Sequence, residues 1–399
     1  MKRIIIFLLI FFPSIVFALD YPELHYKNAI VYDLTDKKVL YELNSNEVVS
    51  IASLTKLMTI ITAIENIEDP TEKIVYTSEM ANNVAYYASI AGFVVGQTYT
   101  FEDLLYGAML PSGADATVAL AIHTSKDIDS FVKEMNELAQ KIGMKNSHFV
   151  NVHGLDEKEH YSSANDIKIL LEYSLKNQLF KKVYTTKKYT LSTGKELKST
   201  VLKQSEKYQL DLSKVIGSKT GFTAKAGLCI SALMEHKNHE IIFITLRAST
   251  KNSIPYNMLD TIELINFIEK NYDNQTVLSK GDLIKKIKVE HSKISDYKIY
   301  SNIDVNLFLP NDYDKTKLVI KYDGVDNLSY KNNKNEKIGE ITYLYDNQII
   351  TKEDIYLKEE IKIDYLKIIK SKKDIIIIWG LGILSTILLI IYIKKAISK

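Results

Sequence analysis

The chain has 399 residues, with 51 Lys+Arg against 49 Asp+Glu and a formal net charge of +2. At 46% hydrophobic and 25% charged it is not a wholly disordered chain, and its near-neutral balance excludes a general nucleic-acid binder. Its one Cys excludes an intramolecular disulfide and any zinc site built from several cysteines.

The ends of the chain predict the compartment. Lys2 and Arg3 precede an apolar run, Ile4 to Phe12, and Val16-Phe17-Ala18 places small residues at the −3 and −1 positions. That is the form of a secretory signal peptide, with cleavage expected after Ala18. At the other end, Ile375 to Ile393 is a run of 19 residues without a charge. As a helix it would rise about 28 Å, near the thickness of a hydrocarbon core, so a single transmembrane anchor is expected. Lysines flank this run on both sides, so orientation rests on the signal peptide: the body is exported and the lysine tail stays inside. Removing Lys2, Arg3, Lys394, Lys395 and Lys399 leaves 46 cationic against 49 acidic side chains, a net of −3 for the exported part. No electrostatic case for a polyanionic partner survives.

Residues 28–42 predict a hairpin about Thr35-Asp36-Lys37. Residues 53–66 predict a helix, with Leu57, Ile60, Ile61 and Ile64 at i, i+3, i+4 and i+7. A helical stretch at 101–123 is interrupted at Pro111-Ser112-Gly113, and its second half is expected to start at an Asp115 cap. Helices are also expected at 163–177 and 258–272. Between them, LCISALME and EIIFITLR predict a second hairpin with Cys229 buried in its first strand. After about residue 276, short alternating segments separated by Asn/Asp-rich turns predict an all-β domain of about 90 residues.

Three motifs carry chemistry. Ser53-Leu54-Thr55-Lys56 opens a strongly apolar helix, where i and i+3 share a face. A Ser hydroxyl needs a base, and a desolvated Lys can serve as one. Lys219-Thr220-Gly221 leads into the second hairpin, where Gly lets a ligand approach the backbone and Lys and Thr can meet a carboxylate. Pro111-Ser112-Gly113 places a Ser in a turn between helices. Each alone has a plainer explanation: a Ser cap with an exposed Lys, a Gly-bearing turn, a helix start.

Together, in this order and 59 and 107 residues apart, the motifs resemble those of the penicillin-recognising active-site serine enzymes. More closely, the chain resembles the D-alanyl-D-alanine carboxypeptidases, the low-molecular-mass penicillin-binding proteins. The matching stretches are IASLTKLMT, FEDLLYGAMLPSGADATVALA, GMKNSHFVNVHGLDEKEHYSSANDI, GSKTGFTAKAGLCISA and, more loosely, EKIGEITYLYDNQII.

The resemblance implies an α/β catalytic domain of the β-lactamase/transpeptidase-like type, an antiparallel sheet with helices, plus a small all-β C-terminal domain and one transmembrane helix. The expected partition is signal peptide 1–18, catalytic domain 19–275, β-rich domain 276–365, juxtamembrane linker 366–374, anchor 375–393 and cytoplasmic tail 394–399. It also implies roles. Ser53 is the acylated nucleophile, Lys56 its proton acceptor, and Ser112 a proton relay to the leaving group. Lys219 and Thr220, with Gly221 and Phe222, bind substrate, and the N–H groups of Ser53 and Phe222 form the oxyanion hole. His153 and Asp166 match residues near the family's site, although a loop-fixing His and a helix-start Asp are the preferred readings. No metal or organic cofactor is implied. The partners are the peptidoglycan stem peptide, β-lactams as inhibitors and the membrane. The β domain would be a spacer or partner platform.

One departure stands out: the family's S-x-N motif has Ala114 where Asn is expected. Alanine offers neither donor nor acceptor. A catalytically impaired stem-peptide-binding protein is therefore one alternative, and a β-lactamase-like hydrolase is another. No clear E-x-x-L-N stretch between Ser112 and Lys219 supports the latter.

Overall fold

The computed structural model describes residue 22 and residues 24–397. The signal peptide expected at 1–18 lies outside the described residues, as do the last two residues of the expected 394–399 tail. The chain divides into two compact units, Met1–Asp273 and Asn274–Lys399.

The first unit is built on a five-stranded antiparallel sheet. In spatial order its strands are Lys38–Leu43, Asn28–Asp33, His239–Ala248, Gly227–His236 and Gly217–Thr223. Both expected hairpins are present, and the strand carrying Lys219-Thr220-Gly221 lies at one edge. Side chains alternate along a strand. Ile242, Ile244 and Leu246 join the large core that contains Leu57, Ile60 and Ile61. Ile241 and Phe243 point the other way and are equally buried, and the Tyr256–Asn271 helix packs on this strand. Cys229, in the neighbouring strand, is fully buried, and burial pushes its thiol up to about 12.

The helices lie close to their expected positions. Thr55–Glu65 is buried from Thr55 to Ile64, so it sits inside the molecule and fixes Lys56 there. Phe101–Met109 starts at a Thr100–Asp103 capping box. The next helix, Ala114–Ser125, differs from expectation: Gly113 is its N-cap, and Asp115 lies inside the first turn with its carboxylate turned to a neighbouring loop. The Ile128–Ile142 helix was not among the expected elements. Its signals are plain in hindsight: Asp127 caps its start, Gly143 ends it in the left-handed region, and Phe131, Met135, Leu138 and Ala139 form its buried stripe.

The second unit is all-β up to about residue 363. Antiparallel strands Leu318–Gly324, Lys337–Tyr345 and Gln348–Tyr356 form one sheet. Leu283–Glu290 pairs with Asp296–Tyr300 and with Asn327–Ser329 in another. Their core includes Ile287, Val289, Ile299, Ile341 and Tyr343.

Residues beyond this domain are helical, as Tyr365–Ser371 and Lys373–Ile397. Among the described residues no helix is long and apolar enough to cross a membrane, so the expected transmembrane helix is not shown.

Phe243→Ala should lower the unfolding free energy of the first unit by about 3–5 kcal/mol, because it empties a buried aromatic site in a central strand. Urea titration followed by tryptophan-independent far-UV dichroism would measure this, and a loss under about 1 kcal/mol would mean that face is not packed.

Candidate active site

Ser53 lies in a short 3-10 turn, Ala52–Leu54, that runs directly into the Thr55–Glu65 helix. The turn is tight: Leu54 N–H donates to Ile51 O at 3.2 Å, and Ala52 has φ +48°. A left-handed non-glycine residue costs roughly 1–2 kcal/mol, so surrounding structure must hold it. Two glycines press on it. An added Cβ at Gly221 would lie 2.9 Å from Ser53 N and 3.0 Å from Ala52 Cβ. At Gly154, with φ +85°, it would lie 2.0 Å from Ala52 O. Only glycine lets the K-T-G strand and the His153–Gly154 loop come this close to the serine turn.

The helix then aligns Ser53 and Lys56. Lys56 Nζ is 2.9 Å from Ser53 Oγ, and Nζ donates to His153 O at 2.6 Å. On the facing side, Lys219 Nζ donates to Ser112 Oγ at 2.8 Å and to Thr220 O at 2.9 Å. Ser112 also sits in the left-handed region, with φ +62°, in the turn between Phe101–Met109 and Ala114–Ser125. Thr220 Oγ1 is 2.6 Å from Thr200 Oγ1 at the start of the Thr200–Tyr208 helix. Ser53 is half-buried, whereas Lys56, Ser112, Lys219 and Thr220 are buried.

Burial sets the electrostatics. Loss of water pushes Lys56 down to about 7, partly opposed by the negative charge of Asp115. Lys219 is held well below the usual lysine range by burial, then by the charge of Lys56. A lysine amine near neutrality can accept a proton from an adjacent hydroxyl. In that state Nζ still donates to His153 O while its lone pair faces Ser53 Oγ–H.

Four of the expected residues, Ser53, Lys56, Ser112 and Lys219, thus form two serine–lysine pairs. Phe222 follows Gly221 on the edge strand with its side chain 59% exposed, free to meet a ligand. His153 contributes its carbonyl, not its ring: ring Nδ1 accepts from Leu155 N–H at 3.2 Å, and burial pushes the imidazole down to about 4. Asp166 is a local structural residue. It accepts from Asn146 N–H at 2.6 Å and Ser147 Oγ at 2.7 Å, while Ser163 caps its own N–H. Ala114 is fully buried, and its N–H donates to Ser89 O at 2.7 Å.

Thr200 and His160 had no sequence signal of their own, and the signal at Asp115, an acidic residue at a helix start, pointed only to a cap. Asp115 is buried and accepts from the N–H groups of Ala91, Gly92 and Phe93 at 2.8, 2.7 and 3.2 Å. It therefore ties the loop before the first helix of this pair to the turn bearing Ser112.

An antiparallel sheet with K-T-G on its edge, closed against a buried S-x-x-K helix and a serine-bearing turn, defines the penicillin-recognising class of serine enzymes. Residues 15–250 match the family described as D-alanyl-D-alanine carboxypeptidase, and residues 272–363 match the C-terminal domain of penicillin-binding protein 5. The chain belongs to the D-alanyl-D-alanine carboxypeptidase family, peptidase S11. It is 28% identical to the D-alanyl-D-alanine carboxypeptidase DacF of Bacillus subtilis over 343 residues, 84% of this chain and 86% of that one. It is 25% identical to DacA of Haemophilus influenzae over 86% of this chain and 87% of the relative. Among solved structures, penicillin-binding protein 5 from Haemophilus influenzae matches in fold with a TM-score of 0.63 at 23% identity, covering 86% of this chain and all of that one.

Asp115→Asn keeps one of the two oxygens that accept from the loop and removes the charge that raises the Lys56 pKa. The neutral amine should then persist to lower pH. The acid limb of the penicillin-acylation rate, near pH 7 in the parent, should move downward; an upward or unchanged limb would show that Asp115 does not act on Lys56.

Proposed function

We infer that Ser53 carries the chemistry of this chain, which as a family member is a penicillin-binding, serine-type D-alanyl-D-alanine carboxypeptidase acting on peptidoglycan. The observation that carries the reading is the 2.9 Å approach of Ser53 Oγ to a lysine amine that burial brings to about 7. The substrate is a stem pentapeptide ending in D-Ala–D-Ala. Ser53 Oγ attacks the carbonyl of the penultimate residue while its proton passes to Lys56 Nζ. The Ser53 and Phe222 N–H groups receive the developing oxyanion, a role in which losing one donor typically costs ~3 kcal/mol. Ser112 gives its proton to the departing amine and is resupplied from Lys56. Terminal D-Ala leaves; a water, deprotonated by Lys56, then attacks the acyl carbonyl, and Lys56 returns that proton to Ser53 Oγ as the ester bond breaks and the tetrapeptide is released. Thr220, oriented by Thr200, and Lys219 face the terminal carboxylate.

A β-lactam acylates the same hydroxyl, but its leaving amine stays tethered, which favours a long-lived adduct. The family works outside the cytoplasm on the wall. The uncharged run at 375–393 and the signal-like start support a single anchor that holds this site on the extracytoplasmic side.

Ser53→Ala should abolish labelling by a fluorescent penicillin and cut D-Ala release from a D-Ala–D-Ala pentapeptide by about 10⁴-fold or more. Labelling that survives would move the nucleophile elsewhere, and no D-Ala release by the parent chain would leave only peptide binding. Ala114→Asn inserts a polar side chain at a fully buried position. It is expected to destabilise by about 1–3 kcal/mol and not to speed acylation; faster acylation would show that the missing amide limits the rate.

A further inference from the structure

The Ser53 turn is strained at Ala52, and the helix that follows has no side-chain cap: Leu54 occupies its N-cap position. Something must hold the turn. Thr55 Oγ1 donates to Ala52 O at 2.9 Å, and His160 Nε2 lies 2.8 Å from the same Thr55 oxygen. The direction of this chain is fixed at its far end. Val150 N–H donates to His160 Nδ1 at 3.2 Å. Nδ1 is therefore the acceptor, Nε2 carries the proton, and Nε2–H donates to Thr55. The hydroxyl of Thr55, once it accepts from the ring, has its own proton aimed at Ala52 O.

The surroundings favour this arrangement. His160 is 3% exposed and Thr55 is fully buried, so no water competes for their hydrogen bonds. Phe149 meets the imidazole edge-on, with ring centroids 5.8 Å apart. Burial pushes His160 down to about 4, which keeps Nδ1 unprotonated and able to accept. Gly154 packs on both Ala52 O and Thr55 Oγ1.

We propose that His160, acting through Thr55, is a positioning residue that locks the left-handed Ala52 turn and thereby sets the direction in which Ser53 presents its hydroxyl and N–H. It touches no substrate. The proposal deepens the reading of Ser53 as nucleophile and rests on it. Its effect is on the acylation step: a serine displaced by even an ångström loses the alignment on which attack depends.

The test uses the full chain with His160→Ala, His160→Gln, Thr55→Val and the His160→Ala/Thr55→Val double variant. Three quantities are measured: thermal midpoint, penicillin acylation resolved into non-covalent affinity and first-order rate, and amide hydrogen exchange at residues 51–54. His160→Ala and Thr55→Val should each slow the first-order step by about 10–100-fold with non-covalent affinity changed less than about twofold. The double variant should be no slower than the worse single one, since both cut one chain. His160→Gln, which keeps an N–H donor, should recover most of the rate. Exchange at 51–54 should rise while the Asn28–Asp33 strand stays protected. Unchanged acylation, additive losses, or exchange rising throughout the sheet would overturn the proposal, the last by making His160 a general packing residue. If the parent chain does not acylate at Ser53, the nucleophile reading fails on its own, and the exchange at 51–54 alone then decides whether His160 holds the turn.

Discussion

Everything in the cleft follows from placing two lysine amines where water does not reach. An ammonium group loses several kcal/mol of solvation when buried, and two such charges near each other add repulsion. The molecule offsets this in two ways: carbonyl and hydroxyl partners surround each Nζ, and the carboxylate of Asp115 opposes part of the loss at Lys56. What remains is an amine close to neutrality beside a serine hydroxyl. That pairing of Ser53 with a near-neutral amine is thus a property of how deep the helix lies, since the same tetrapeptide on a surface helix would carry an ordinary charged lysine.

Backbone strain appears on both sides of the same cleft. Ala52 precedes one serine and Ser112 is the other, and both adopt left-handed φ without being glycine. Such residues persist only where the surroundings over-determine them. Here the surroundings are two glycine contacts, the Thr55 hydroxyl and the Asp115-tethered loop. The scaffold spends stability to hold two hydroxyls off the paths that regular helices would give them.

Much of this was legible in the sequence, and the boundary has a physical cause. Ser53 and Lys56 are separated by one helical turn, so spacing alone puts them on one face. The hairpins announced themselves through β-branched runs and turn residues. The partnership of Lys219 with Ser112 spans 107 residues and needed the family pattern to be seen at all. Asp115 looked like a cap because an acidic residue at a helix start usually is one, yet its carboxylate serves a loop more than twenty residues earlier in the chain. His160 and Thr200 were invisible for a similar reason. Each is a polar residue whose meaning lies entirely in a partner that folding brings to it, 105 residues away for His160. The apolar stripe of Ile128–Ile142, by contrast, was readable and simply lay outside the motifs.

The close packing of Gly221 on the Ser53 turn also bears on when the enzyme exists. The two walls of the cleft come from segments 168 residues apart, and contacts of such long range form late because loop closure must be met before they reward it. The S-x-x-K helix, made of local contacts, can form early, but without the edge strand against it Lys56 stays hydrated and protonated. The neutral amine beside Ser53 therefore exists only when the sheet closes, so an unfolded chain carries the Ser53–Lys56 pair in its sequence without the burial that brings the lysine near neutrality.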